Sequence, residues 1–225
     1  MKGPRFITHI RRLKDVGEPL ANFFASGLLR LGPKLGPILW QFPPRQTFDE
    51  AVFDDFLGQL PKTTDEALAL ARRRGSRLEG RDWLECDVRQ AVRHAVEIRH
   101  ESFRTPAFTA LLRRHGAALV CADTVKWPLL FDLTADFAYV RLHGSQELYV
   151  SGYEAEALDV WALRARTWAR GDEVTDGERI EAPGPSRQEG RDVFIYFDND
   201  AKVRAPVDAA GLIGRLESLR SGQAA

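Results

Sequence analysis

Only two cysteines, Cys86 and Cys121, occur in the 225 residues, which rules out a disulfide framework, and no metal-type cysteine spacing is present. Cys121 lies inside an apolar run and reads as a small core residue in a protein of a reducing compartment. Net charge is lacking as well, because Lys plus Arg and Asp plus Glu each total 32. That cancellation removes the global field of a general nucleic-acid or membrane binder, so any anion recognition has to be local. No apolar run nears the length that spans a bilayer, and no charged start leads into a signal-type apolar stretch. The expectation is a cytoplasmic protein. Compact catalytic signatures are missing too: neither a His-Glu-x-x-His spacing nor a Gly-x-Ser-x-Gly turn occurs.

What the chain does have is a recurrence. Short apolar runs lead directly into side chains able to do chemistry, in Leu35-Gly-Pro-Ile-Leu-Trp-Gln41, Ala95-Val-Glu-Ile-Arg-His100, Ala117-Ala-Leu-Val-Cys-Ala-Asp123, Phe137-Ala-Tyr-Val-Arg-Leu-His143 and Val193-Phe-Ile-Tyr-Phe-Asp-Asn-Asp200. Helical periodicity separates them. Glu18 and Pro19 open a stretch with Leu20, Phe23, Phe24, Leu28 and Leu31 that Gly32-Pro33 stops. Thr47 with Glu50, and Thr63 with Glu66, have capping-box spacing ahead of two further helices. Thr105-Pro106 starts another, closed by Gly116, and Glu154 to Arg170 carries Leu158, Trp161, Ala165 and Trp168 on one face as a packing stripe. The last holds Leu212, Ile213, Leu216 and Leu219. Strands alternating with helices imply parallel pairing through right-handed crossovers, which places the polar strand ends at one rim.

Parity selects between a closed barrel and an open doubly wound sheet. Val140 and Leu142 alternate with Tyr139, Arg141 and His143, and Val96 and Ile98 alternate with Glu97 and Arg99. If the aliphatic face meets the helices, the charged face points into a lumen, which a barrel tolerates and a doubly covered sheet does not. The expected fold class is therefore α/β, a TIM-barrel-like parallel (β/α) barrel, in one domain over residues 1–225. Residues 171–191, dense in Gly, Pro and charge, read as a long mobile loop. The arginines at 72, 73, 74, 77 and 81 read as a solvated helix end.

Several segments carry a resemblance. Phe6-Ile-Thr-His-Ile-Arg-Arg-Leu-Lys-Asp15, Leu35 to Pro44 with its Gln-Phe-Pro-Pro, Ala95 to Phe103, Cys121-Ala-Asp-Thr124, Tyr139-Val-Arg-Leu-His-Gly144 with Tyr149 and Tyr153 behind it, and Tyr196 to Asp200 with Ala205-Pro206 resemble, in order, the motifs of the YecE-like family. The resemblance covers nearly the whole chain and implies a TIM-barrel-like fold with these motifs at the C-terminal strand ends. It implies no established reaction, the family being a domain of unknown function. The chain departs from the family in lacking a Gly-Trp-containing first strand and an Asn-Ser-Thr-Phe-Tyr-like second one, and it begins near the third, at Phe6 to His9. The expectation is an incomplete barrel, about six of eight units, whose open sheet edges invite self-association.

Arg141 and His143 share a face and suit an anion clamp and a proton carrier, or else a structural pair of Arg141 with Glu97 across the lumen beside a hydrogen-bonded histidine. Glu97 and Arg99 suit a base and a clamp, or neutralise each other. Asp123 suits an acid or base, a metal ligand or a turn cap. His9 and His100 are candidate strand-end groups, and Gln41 a hydrogen-bonder. Asn199 and Asp200 lie where barrels bind phosphate, or simply form a turn. Taken together, Glu97, Asp123 and His143 are the candidate catalytic residues, with His9, Gln41, Arg99, His100, Arg141, Asn199 and Asp200 as binding candidates; the sequence leaves the need for a metal or cofactor open. The favoured reading is an enzyme doing acid/base chemistry, hydrolysis or elimination, on a small anionic, phosphate-bearing substrate. A metal-dependent phosphodiesterase acting on nucleic acid is a less favoured alternative, and a non-catalytic ligand-binding barrel is another.

Overall fold

The computed structural model describes residues 1–124, 126–144, 152–199 and 203–222. Its contacts divide the chain into two compact units, Met1–Ala117 and Ala118–Ala225. All the strands foreseen from the apolar runs form: β1 (Ile38–Gln41) and β2 (His94–Glu97) in the first unit, β3 (Ala118–Asp123), β4 (Phe137–Leu142) and β5 (Asp192–Phe197) in the second. Within each unit the strands pair in parallel and in chain order, Gln41 opposite Glu97, Ala122 opposite Arg141 and Arg141 opposite Tyr196. That is the singly wound order of an incomplete (β/α) barrel fold, not a doubly wound sheet.

The segment read as a further strand is different. Phe6–Ile10 forms one turn of π helix, so His9 stands on a helical turn and not at a strand end. β-branched composition suggested extension, but the amides of Ile7 and Thr8 bond back to the carbonyl of Pro4, and local closure wins over propensity. Parallel pairing with β1 survives as a bridge at Lys2, where Leu39 N–H donates to Met1 O at 2.9 Å and Gly3 N–H to Leu39 O at 2.8 Å. Gly3 is required there, because a Cβ would lie 2.3 Å from the Trp40 ring.

In the first unit α1 (Gly17–Ala25), α2 (Glu50–Gly58), α3 (Thr64–Ala71) and α4 (Pro106–His115) surround an aromatic core of Phe24, Trp40, Phe42, Phe53, Phe56, Phe103 and Phe108, all fully buried. Thr63 and Thr105 cap α3 and α4, accepting from Glu66 N and Phe108 N, and Gly116 ends α4 with φ 64°. α2 is capped by Asp49, which accepts from Val52 N at 3.2 Å, and not by Thr47. Asp49 has the extended backbone a cap needs and sits directly before the first turn.

α5 (Ala155–Ala169) and α6 (Arg204–Ser221) belong to the second unit, whose core gathers Val140, Leu142, Tyr153, Trp161 and Trp168. Phe131 stacks on both tryptophans, confirming their packing role. Residues 171–191 hold no helix or strand, yet the segment is tied down: Asp132 accepts from Ile180 N and Glu181 N, and Arg179 donates to the carbonyls of Phe131 and Val174. Among the described residues no helix is long and apolar enough to cross a membrane.

Candidate functional site

Within each unit polar groups collect at the C-terminal strand ends. In the first, Gln41 and Glu97 are the last residues of β1 and β2 and lie in register. Gln41 Nε2 donates to Glu97 Oε1 at 2.8 Å, Arg99 Nε to the same oxygen at 3.0 Å, and Lys2 Nζ to Gln41 Oε1 at 2.8 Å. Glu97 is fully buried, and such a carboxylate is tolerable only when paired and hydrogen-bonded as here. His9 is half-buried, and its Nδ1 lies 2.8 Å from Thr8 Oγ1. Burial first, then the positive charges of Arg5, Arg99 and Lys2, pull the His9 imidazole below its ordinary pKa, which keeps it neutral in a locally positive field. His100 stands apart from this network and caps a short turn, its Nδ1 accepting from Ser102 N.

Deeper in the same unit, His94 is a residue the sequence reading passed over. The Trp40 indole can only donate, so Nδ1 of His94 accepts its hydrogen at 3.1 Å, and Nε2 must carry the proton that it gives to Pro61 O at 2.8 Å. Burial holds this imidazole down at about 4. It is a core fastener.

The second cluster centres on Asp198, one residue past β5. Its Oδ2 lies 2.6 Å from Arg141 Nη2 and 3.0 Å from His143 Nδ1. Burial alone would raise its pKa, but the hydrogen bond from His143 and the charge of Arg141 hold it below the usual carboxylate value. The His143 ring is completely buried beside this carboxylate. Trp127 meets the His143 ring edge-on, 5.7 Å away. Asp123, ending β3, accepts from the Tyr153 hydroxyl at 2.9 Å, which itself accepts from Gly144 N–H at 3.2 Å. Burial, reinforced by Asp123, pushes the Tyr153 phenol well up, so it stays a donor. Asn199 donates to Asp208, and Asp208 takes Tyr153 N–H, an arrangement that closes the strand end. Cys121 is buried and its thiol pushed up, first by burial and then by Asp123, as suits an inert core group.

The sequence reading named Arg141 and His143 but not Asp198, the carboxylate that joins them, nor Tyr153 as the partner of Asp123. Parity carried the signal for the first, since Phe194, Tyr196 and Asp198 alternate along β5 as Tyr139, Arg141 and His143 do along β4. Asp200, a binding candidate, and Tyr149 lie outside the described residues. Among those described, no group of three His, Cys, Asp or Glu side chains is placed to hold a metal ion.

Parallel strands with chemistry at their C-terminal ends define the class, an α/β protein of incomplete barrel fold. The chain matches, over residues 1–224, the family described as protein of unknown function DUF72, and it belongs to that family, in agreement with the YecE-like motifs. A DUF72 family protein of Thermotoga maritima MSB8 is similar in structure, with a TM-score of 0.64 and 21% identity over 96% of this chain and 72% of that one. Another, from Enterococcus faecalis V583, has a TM-score of 0.51 and 14% identity over 80% of this chain and 61% of its own. These likenesses show the fold. No curated protein matches.

Proposed function

We propose that the protein is an enzyme doing acid/base chemistry, hydrolysis or elimination, on a small anionic, phosphate-bearing substrate. The observation that carries this is the juxtaposition of Asp198 with the Arg141 guanidinium, 2.6 Å away, and with His143 Nδ1, 3.0 Å away. A carboxylate that orients an imidazole sets its tautomer and readies the other nitrogen for proton transfer. His143→Gln is expected to retain binding and lose about 10²-fold or more in turnover, measured on a substrate found by thermal-shift screening of metabolites. Full turnover in that variant ends the proposal. One observation favours a non-catalytic ligand-binding protein instead: His143 is completely buried. In that case both His143→Gln and Asp198→Asn change affinity and no turnover is found. The phosphodiesterase reading has no ligand cluster behind it among the described residues. Self-association is part of the proposal, since β5 is half-exposed along its length; a purely monomeric sedimentation profile overturns that part.

A further inference from the structure

The two oxygens of Asp198 differ. Oδ2 faces both Arg141, at 2.6 Å, and His143, at 3.0 Å, whereas Oδ1 accepts nothing from any described residue, and the side chain is 40% exposed. A carboxylate locked through one oxygen and open at the other is an oriented acceptor facing solvent. Two residues back on the same face of β5 stands Tyr196. Its ring stacks on Tyr139, centroids 5.1 Å apart and planes 28° from parallel, yet 41% of the residue remains exposed. Its hydroxyl has no partner among the described residues. An aromatic this open is out of keeping with parallel strands, which are normally covered on both faces.

Those features specify a ligand. Arg141 balances the charge of Asp198, so the pair attracts neither a cation nor an anion strongly, while the open lone pairs of Oδ1 take hydroxyl donors well. A flat aromatic anion would suit the Tyr196 ring but bring negative charge against the exposed carboxylate. A sugar ring fits both halves, with its C–H face on the tyrosine and neighbouring hydroxyls on Oδ1 and the phenol. Resting on the reading that this cluster is a substrate site, we infer that Asp198 Oδ1 and Tyr196 bind the polyhydroxylated ring of a sugar.

Thermal-shift and calorimetric titrations of the full chain with glucose 6-phosphate, sorbitol 6-phosphate and inorganic phosphate test it. The cyclic sugar phosphate is expected to bind about tenfold tighter than its open-chain counterpart, a ring-stacking contribution. Tyr196→Leu erases that advantage and Tyr196→Phe keeps most of it. Equal binding of the cyclic and open-chain probes, measured on the unaltered chain and so independent of how any variant folds, overturns the ring site while leaving the anion reading intact. The anion reading fails separately if neutral methyl glucoside binds as tightly as glucose 6-phosphate. No binding of glucose 6-phosphate overturns the ring site as well.

Discussion

Glu97 in the first unit and Asp198 in the second are both carboxylates held by an arginine at the end of a parallel strand, and they differ in exposure. Glu97 is completely buried and its Oε1 is shared by Gln41 and Arg99; Asp198 is 40% exposed with one oxygen open. The surroundings explain the contrast. β1 and β2 are buried at every residue against an aromatic core, whereas β5 is only half-covered. A saturated, buried carboxylate fastens a fold, and an exposed, oriented one is available to a ligand.

Substitutions can break this contrast, and they rank by size. Glu97→Ala strands Arg99 and Gln41 in the interior and is expected to cost about 3–5 kcal/mol, read by denaturant unfolding; a cost below about 1 kcal/mol contradicts the fastening role. Acid comes next. In the unfolded chain His94 binds its proton near 6.5 and in the folded chain only near 4, so between those values the unfolded state takes up more protons. Stability contributed by the neutral imidazole is therefore present above 6.5 and lost as pH falls towards 4, by roughly 2 kcal/mol between pH 7 and 4.5. His94→Gln should flatten that part of the pH profile, and an unchanged slope refutes the assignment. Asp49→Ala should cost about 1 kcal/mol through the lost cap of α2 while Thr47→Ala costs nothing measurable. Asp198→Asn should change stability by about 1 kcal/mol or less, because its carboxylate, unlike that of Glu97, stands partly in water.

The strands were legible because each is a short apolar run that ends in polar side chains, and the parallel order followed from the helices between them. α3 and α4 were legible from Thr63, Thr105 and Gly116, whose local chemistry acts without tertiary help. Phe6–Ile10 was not, since its helical turn depends on hydrogen bonds to Pro4 that no propensity encodes. Candidate residues such as Glu97, Arg141 and His143 could be named from parity. The local pair of Glu97 with Arg99 was legible as well, but long-range partners were not, because Gln41 and Glu97 are 56 residues apart and Asp123 and Tyr153 are 30 apart, and only the fold brings them together.

The account turns on the two carboxylates having different work. The most direct test measures the melting temperature of Glu97→Gln and Asp198→Asn with and without glucose 6-phosphate. Glu97→Gln should melt lower yet keep its ligand-induced shift, while Asp198→Asn should melt near the unaltered protein and lose the shift. The opposite pattern, a destabilised Asp198→Asn that still responds and a stable Glu97→Gln that does not, contradicts the account.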